Sequence, residues 1–494
     1  MNPLKFIITS KTNLQKKYQK SFPAVVALLN KLKKADKARK IATEIIFVDD
    51  VTSMKKFKVK KASSLSPREC KRAVDRLFVR WSPAYIVIFG SQDIFPFQDL
   101  ANPADDEDSI VPSDLPYVCS AAFGTKVNSF TGPSRVLGRI PDVPGNANVS
   151  YVTTLIQNII DHKPLTSNDY KKYFAVSAKV WARSTELSLK NMFGNNSDQL
   201  NSPPAKGKYS RKTLKPLTHF YNCHGAFDDP NFYGQEGNKY PTALSSKDLL
   251  RKITPYTVAA AECCYGAQMA DPVSTGNNVL SISNQYLLQK AIAFMGSSTI
   301  AYGPSDSQGL ADLITQYFVK KVLEGASTGR AMLEAQQEFL IKSGPDLDPY
   351  ELKTLAQFFL LGDPSLQPVD PKLSKAMSAG NTIENRRKVL FKKGEDLKIT
   401  SNPSEKVSKG TGGPSSELKI LLKKAKINRK VAREHLYKVP VKKSSTGPKK
   451  LFQRPSKFRA FVKETKNHGI PQFKVLVVKE NNDTVLGWRL YLSR

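Results

Sequence analysis

The sequence predicts an α/β protein with a mostly parallel β-sheet flanked by helices. Two observations carry this prediction. Short apolar runs rich in β-branched residues alternate with amphipathic helical patterns as far as about residue 370, and 40% of the 494 residues are hydrophobic. Continuous apolar strands between helices are typical of buried parallel sheets. Because such sheets carry their catalytic groups on the loops after the strands, functional residues are expected at strand ends.

The first predicted subdomain, residues 1–165, alternates strands and helices. Its predicted strands are KFIITS, EIIFVDD, AYIVIFG and RVLGRIPD, and its helices are SFPAVVALLNKLKKADKARKIA, PRECKRAVDRLFVRW and NANVSYVTTLIQNIIDH. A polar, acidic stretch from Ser91 to Pro116 follows the third strand. It therefore lies where functional loops are expected.

The second predicted subdomain, residues 166–370, repeats the pattern. Its predicted strands are KYFAVSA, KPLTHFYNCHG, YTVAAAECCYG and AIAFMGSSTIAYG, and the last three end at Gly225, Gly266 and Gly303. Its predicted helices are STELSLKNMFGN, ADLITQYFVKKVLEG and GRAMLEAQQEFLIKSG, the last two with glycine stops. The run LKTLAQFFLLGDPSLQP is interpreted as a closing helix and a proline-rich turn.

The composition changes after residue 370. The formal net charge of the chain is +33, and roughly two-thirds of that excess lies in this last part. Residues 371–450 are interpreted as a basic linker with a helical segment, LKILLKKAKINRKVAREHLYKV. Residues 451–494 are predicted to form a small β-rich module with a hairpin turn at Asn481–Asp483. The basic region is expected to bind nucleic acid or an acidic partner, or to be a solvated linker.

Five cysteines are present: Cys70, Cys119, Cys223, Cys263 and Cys264. An odd number with two adjacent members is a poor disulfide framework and suits a reducing compartment. No C-x-x-C pair occurs and there are only five histidines, so no structural metal site is expected. The N-terminal run is too short and interrupted for a signal peptide, and no run approaches the length of a membrane span. We therefore expect a cytoplasmic protein without a membrane partner.

A histidine and a cysteine are predicted at the ends of neighbouring strands. His224 and Gly225 end one strand, and Cys263 and Cys264 end the next one, about 40 residues further on. A thiol nucleophile needs a nearby base, which His224 can supply. Gly225 allows close backbone approach, so its N–H can join that of the cysteine in an oxyanion hole. A structural histidine and a packed thiol are the alternative interpretation.

Seven motifs between about residues 80 and 370 share a common order with a known family. They are IVIFGSQDIFPF, SDLPY, VLGRIPD, CHG, ECCYGAQ, GSSTIAYGP and LLGDPSL. With them the sequence resembles the gingipain family of cysteine peptidases, in the caspase-fold clan. The resemblance implies a caspase/gingipain-like fold with the catalytic residues in the second subdomain, and a hydrolase acting on proteins or peptides. It implies no cofactor and leaves room for an accessory calcium ion.

Two adjacent cysteines compete for the role of nucleophile. Caspase-fold enzymes usually have a small residue just before the catalytic cysteine and an acidic or amide residue two positions before it. The motif ECCYG resembles this pattern if Cys264 is the nucleophile, because Cys263 and Glu262 precede it. The gingipain pattern Ala-Cys-x-x-Gly would instead align Cys263. We predict Cys264 and keep Cys263 as the alternative.

The resemblance also implies a preference for Arg or Lys before the scissile bond. Asp114 in PSDLPY aligns with the gingipain aspartate of the S1 pocket, Glu262 is a second candidate for that charge, and Tyr302 aligns with an aromatic wall of S1. A turn aspartate and a core aromatic are the alternatives for Asp114 and Tyr302. The acidic partner of His224 cannot be aligned. The competing function is a catalytically idle caspase-fold protein that binds nucleic acid, or serves as a scaffold, through residues 371–494.

Overall fold

A computed structural model of the chain describes residues 2–275, 278–370, 383–408, 415–440, 456–467, 470–481 and 484–494. The strands are β1 (Leu4–Thr9), β2 (Ala42–Phe47), β3 (Tyr85–Phe89), β4 (Gln98–Ala101), β5 (Ile110–Ser113), β6 (Leu137–Ile140), β7 (Tyr173–Ala178), β8 (Gln199–Ser202), β9 (Thr218–Asn222), β10 (His224–Gly225), β11 (Asn231–Tyr233), β12 (Thr242–Ser245), β13 (Val258–Ala261), β14 (Ala293–Ser297), β15 (Tyr302–Gly303), β16 (Asp346–Leu347), β17 (Phe358–Gly362), β18 (Asn402–Pro403), β19 (Glu405–Ser408), β20 (Arg433–Lys438), β21 (Lys457–Asn467), β22 (Ile470–Asn481) and β23 (Thr484–Ser493).

The helices are α1 (Lys11–Tyr18), α2 (Phe22–Ala38), α3 (Val51–Lys56), α4 (Pro67–Trp81), α5 (Leu115–Val118), α6 (Val149–Asp161), α7 (Ser167–Lys171), α8 (Ala182–Phe193), α9 (Ile282–Leu288), α10 (Leu310–Leu323), α11 (Thr328–Ser343), α12 (Pro349–Gln357), α13 (Ile383–Thr400) and α14 (Ser416–Lys424). Short 3₁₀ turns lie at Gln19–Ser21, Val127–Phe130, Lys179–Trp181 and Ser246–Leu249. No helix in this described part of the chain is long and apolar enough to cross a bilayer.

A ten-stranded sheet forms the centre of the molecule, with the strand order β2-β1-β3-β6-β17-β14-β13-β9-β7-β8. All neighbours pair in parallel except β14 and β17, which are antiparallel, with Ser297 opposite Phe358. The predicted α/β fold with a mostly parallel sheet is therefore confirmed. The antiparallel contact divides the sheet into two halves whose strands run in opposite directions.

The strand β17 is where the structure departs from the predicted closing helix. Helix α12 ends at Gln357, and the apolar run Phe358–Gly362 then enters the fully buried centre of the sheet. The long helices α10 and α11 pack on each other between β14 and β17, and a helical hairpin returns the chain to the edge that it left. The next strand consequently runs back beside β14 instead of parallel to it.

The basic C-terminal region packs on this core. Strands β19 to β23 form an antiparallel sheet that continues through β23 onto β15 of the second subdomain. Helix α14 covers this sheet and packs Leu418, Leu421 and Leu422 against Phe461 and Leu476. The predicted long basic helix is instead α14 followed by β20, because the alternating burial along β20 has the period of a strand. The predicted final hairpin is formed by β22 and β23, and its residues 482 and 483 lie outside the described ones.

A buried lysine ties the first strand to the far side of the sheet. The ammonium of Lys5, in β1, lies 2.5 Å from an Asp36 carboxylate oxygen and 2.7 Å from one of Asp363, and all three side chains are fully buried. Asp36 belongs to α2, and Asp363 directly follows β17. Removing the cation would leave Asp363 buried without its ion pair, and Asp36 with only the more exposed Arg39 at 3.5 Å, which is the costly way to break an ion pair.

We expect Lys5→Ala to lower the free energy of unfolding by about 3–5 kcal/mol. The matched control is Lys33→Ala, whose partly exposed pair with Glu44 is worth roughly 0–1 kcal/mol. Urea-induced unfolding monitored by circular dichroism measures both. Equal losses in the two variants would contradict the structural role of the buried cluster.

Candidate active site

His224 lies just beyond the carboxyl end of β9, and two side-chain amides approach its Nε2, that of Gln235 closely and that of Gln472 at 3.4 Å. Its Nε2 is 2.8 Å from Oε1 of Gln235. The amide of Gln235 is itself oriented, because its Nε2 donates to the carbonyl of Gly237 at 3.1 Å and to the hydroxyl of Tyr240 at 2.7 Å. The carbonyl oxygen of Gln235 therefore faces the histidine and accepts its Nε2–H. This arrangement leaves Nδ1 with the lone pair that a general base needs.

Burial keeps the imidazole of His224 neutral. Its ring packs against Trp181 at 4.4 Å between centroids and against Tyr240 at 5.4 Å. Removal from water lowers the pKa of His224 to about 4, and the nearby Arg494 guanidinium reinforces this shift. Hydrogen bonds that the protonated ring would make to Gln235 and to the main chain of Arg494 oppose it. Near neutral pH the ring is thus uncharged and able to accept a proton.

The two cysteines after β13 have different surroundings. The sulfur of Cys264 accepts the N–H of Ala301 at 3.2 Å, and its thiol donates to the carbonyl of the same residue at 3.5 Å. Cys263 instead points to Cys223, with which its thiol forms a hydrogen bond inside the core. Burial raises the pKa of both Cys263 and Cys264. Cys264 thus faces the segment that follows β14, and Cys263 is a packed thiol.

Gly225 allows the two strand ends to meet. A Cβ at this position would lie 1.9 Å from the carbonyl oxygen of Cys264 and 3.6 Å from Cβ of Cys263. No other residue fits here without moving the backbone, so the main chain after His224 runs directly beside the main chain of the cysteine pair.

A buried acidic pair lies on the helix α10 side of this site. Glu262 hydrogen-bonds to Asp312, and burial followed by the neighbouring Asp312 charge raises the pKa of Glu262, while Thr315 donates to its Oε1 at 3.2 Å. Burial also raises the pKa of Asp312. The counter-charge is Arg494, whose Nη2 lies 2.7 Å from Oδ1 of Asp312. Glu262, predicted as a candidate for the S1 charge, is thus next to an arginine side chain.

Two other predicted S1 residues have different partners. The carboxylate of Asp114 is engaged by Arg139, with Nη2 to Oδ1 at 2.5 Å and Nε to Oδ2 at 3.0 Å. Because this pair is buried and complete, the structure does not place the Asp114 charge with the cysteines. The ring of Tyr302 packs on Tyr350 and donates its hydroxyl to Asp106, while Trp181 is the aromatic ring beside Arg494, at 4.6 Å.

The acidic loop between β4 and β5 supports the cysteine segment from the other half of the sheet. Buried Lys353 lies 2.5 Å from Asp106 and 2.6 Å from Asp108. Asp108 in turn accepts the hydroxyl of Tyr265 at 2.7 Å and the N–H of Ile300 at 2.9 Å. The loop thereby fixes both walls around Cys264. Its signal in the sequence was the run of acidic residues after the third strand, but its lysine partner lies on a distant helix.

A cavity of about 780 Å³ opens on one side of the cysteine. Phe227, Tyr265, Asp271 and Thr299 are among the residues that line it. The chain runs from Thr299 in the cavity wall to Ala301 at the Cys264 sulfur and on into β15, which pairs with β23. One short segment therefore joins the cavity wall, the Cys264 sulfur and the strand that pairs with β23. Within the described residues, no group of three or more His, Cys, Asp and Glu side chains is arranged to hold a metal ion.

A neutral histidine and a cysteine lie after neighbouring strands at the carboxyl edge of an α/β sheet, beside a buried acidic pair. A cysteine peptidase of the caspase-like clan needs such groups at this edge. The family comparison agrees. The family model of peptidase family C25, the gingipain family, matches residues 6–369, and the chain belongs to this family.

Comparison with curated proteins gives no match. Among solved structures, one similar chain is in the separase–securin complex of Saccharomyces cerevisiae. It shares 12% sequence identity, with a TM-score of 0.30, over 47% of this chain and 14% of the matched one. This chain therefore spans a small part of the length of that neighbour.

We expect His224 to stay neutral, as the Nε2–H tautomer, from pH 8 down to its pKa of about 4. The reason is burial together with the acceptor that Gln235 presents. Ring ¹⁵N shifts in a two-bond ¹H–¹⁵N spectrum measure the protonation and the tautomer, and Gln235→Leu should lose the tautomer preference. A midpoint near 6.5 in the unaltered chain would contradict the buried, amide-oriented ring.

Proposed function

We propose that the protein is a cysteine endopeptidase in which Cys264 is the nucleophile and His224 is the base, with cleavage after Arg or Lys. One observation carries the proposal: the two residues converge on the main chain of a single residue, Arg494. His224 hydrogen-bonds to its backbone, and Ala301, which contacts the Cys264 sulfur, accepts its N–H at 2.9 Å. A residue held between thiol and imidazole is in the position that a scissile residue requires.

The chemistry needs one proton acceptor and one anion site. The Cys264 thiol gives its proton to Nδ1 of His224 as the sulfur attacks the scissile carbonyl carbon, and the amine leaves with that proton. Water then attacks the thioester, passing a proton back through His224 to regenerate the thiol. The N–H groups of Gly225 and Cys264 are the donors that we assign to the developing oxyanion, since their main chains run side by side.

The acidic pair explains the preference for a basic residue. Glu262 and Asp312 are both fully buried, and a guanidinium or ammonium group is the partner that buried carboxylates require. This pocket takes the place of Asp114, whose charge is satisfied by Arg139. We assign the residues on the leaving-group side of the bond to the cavity beside Tyr265, the residue that follows Cys264.

Cysteine replacement tests the nucleophile. We expect Cys264→Ala to lower hydrolysis of fluorogenic Arg and Lys peptides by about a thousandfold or more, and Cys263→Ala to keep it within a few-fold. Steady-state rates with Arg, Lys and Leu versions of one peptide measure both activity and specificity. Full activity in both single variants would overturn the assignment. The absence of hydrolysis in every variant would favour the catalytically idle alternative.

Pocket neutralisation tests the specificity. Asp312→Asn removes the carboxylate charge that lies 2.7 Å from Nη2 of Arg494. Loss of such a charge-assisted hydrogen bond to a substrate guanidinium corresponds to about a ten- to hundredfold fall in kcat/KM for Arg peptides. The control is Asp271→Asn, which removes a carboxylate that lines the cavity and does not contact Arg494. Equal effects of the two variants on Arg and Leu peptides would contradict a specific S1 role for Asp312.

A further inference from the structure

The last strand of the sequence lies along the catalytic half as an extended peptide would. Strand β23 pairs antiparallel with β15, with Ser493 opposite Tyr302 and Leu492 opposite Gly303. The N–H of Arg494 continues the ladder by donating to Ala301. Addition of a strand to an exposed edge is a general way in which domains bind extended peptides. The edge used here starts at the residue that contacts the Cys264 sulfur.

The side chain of Arg494 fills the acidic pocket. Its Nη2 lies 2.7 Å from Asp312 and 2.8 Å from the carbonyl of Pro304, its guanidinium carbon lies 4.6 Å from the ring centroid of Trp181, and the side chain is fully buried. Three kinds of contact therefore act on one guanidinium: a charged oxygen, a carbonyl and an aromatic face. A planar cation is the group that such a pocket recognises.

Gly303 provides the space for this guanidinium. A Cβ at that position would lie 2.2 Å from Nη2 and 2.7 Å from Nε of Arg494. The strand that pairs with Leu492 therefore also forms the opening of the pocket. Main-chain pairing and arginine binding are thus features of one cleft.

We propose that residues Leu492–Arg494 occupy the substrate cleft in cis, with Arg494 in the pocket for the basic residue, so that an incoming arginine peptide must displace them. This inference rests on the proposed peptidase function for the identity of the cleft. The ligand class of the cleft is an extended segment that ends in arginine on the acyl side of the cleaved bond. In the unaltered chain the nucleophile is covered by the strand of the protein itself.

Tethering makes this occupant strong without unusual contacts. A linked segment competes at an effective concentration of the order of millimolar, so peptides of similar intrinsic affinity reach the cleft only when β23 separates from β15. The described contacts of β23 with its other neighbour, β22, extend over the length of the strand. Separation of Leu492–Arg494 therefore needs the short β15 ladder and the Arg494 contacts to break, while Arg489 and Tyr491 can keep their contacts with Asp348.

Alkylation of Cys264 by iodoacetamide, followed by peptide mass spectrometry, tests the inference without any need for catalysis. We expect Arg494→Ala to increase the labelling rate of Cys264 by about tenfold or more, the change that follows if the unaltered cleft is open for a tenth of the time or less. Cys263 and Cys223 in the same protein are internal references, since they are buried elsewhere in the core. Circular dichroism and thermal unfolding check that the variant is folded.

The control variant is Lys479→Ala. It removes a positive charge from β22, the strand that pairs with β23, and Lys479 pairs with the partly exposed Asp346 outside the pocket. We expect Cys264 to be labelled at the unaltered rate in this variant. Equal labelling in the unaltered chain and in Arg494→Ala, or an equal increase in both variants, would overturn the proposal.

A second measurement applies even if Arg494→Ala does not fold. In the Cys264→Ala chain, the peptide acetyl-Leu-Ser-Arg-amide at millimolar concentration should increase hydrogen exchange at the amides of Leu492 and Arg494, and the same peptide with Ala in place of Arg should not. The millimolar range matches the expected effective concentration of the tethered segment, of the order of millimolar. Unchanged exchange with the arginine peptide would contradict the shared cleft.

Hydrolysis separates this inference from the proposed function. If Arg494→Ala both labels faster and cleaves arginine peptides faster than the unaltered chain, both proposals are supported. Faster labelling without hydrolysis in any variant retains the occupied cleft and rejects the peptidase. Hydrolysis that is equal in the unaltered chain and in Arg494→Ala retains the peptidase and rejects the occupied cleft.

Discussion

The structure around His224 and Cys264 depends on the burial of two carboxyl groups. Glu262 follows β13 and Asp312 lies in the first turn of α10, and neither is exposed to solvent. Two ionised carboxylates at such a site would repel each other in a poorly solvated environment, so one proton is shared between them, with Glu262 as the donor and Asp312 as the charged acceptor. The remaining negative charge requires a cation, and Arg494 supplies it.

The ion pair between Arg494 and Asp312 joins the C-terminal sheet to helix α10. The guanidinium reaches Asp312 only if β23 lies on β15, and β23 is one strand of the antiparallel sheet that holds the described strands of the basic region. Binding of the Arg494 guanidinium in the pocket and packing of the C-terminal sheet on β15 therefore occur together. A basic tail that the composition would describe as a solvated arm is, in its described part, packed on the rest of the chain: α13 lies against Phe78, and β23 pairs with β15.

The sequence was informative where local pattern decides the outcome. The order of strands and helices and the placement of His224 and the cysteines at strand ends followed from periodicity, since buried parallel strands have continuous apolar runs. The partners of these residues did not follow. Gln235 reaches the histidine across a small antiparallel sheet, and Asp312 lies on a helix after the next strand. Such pairings depend on which residues lie close together in three dimensions. The spacing of residues along one sequence does not reveal this.

The same reason explains why the motif PSDLPY did not reveal the partner of its aspartate, Asp114. Its motif fits, but selection of a partner in the core is made by geometry, and Arg139 of β6 projects to Asp114 with a two-point contact that leaves no free oxygen for a ligand. The arginine that does lie in an acidic pocket is almost 400 residues from Asp114 along the chain, in a region whose composition suggested only charge.

The chemical state of His224 and Cys264 follows from the strand that covers them. With β23 in place, burial raises the pKa of the Cys264 thiol and lowers that of His224 to about 4, so both groups are neutral near pH 7. Neither shift is caused chiefly by a charge; desolvation is the largest cause for both. Because desolvation acts through the exclusion of water, separation of β23 would let solvent reach both groups and move both pKa values towards their ordinary range. The position of β23 and the ionisation of His224 and Cys264 are therefore thermodynamically linked. A ligand that displaces the strand would also change the reactivity of the Cys264 thiol.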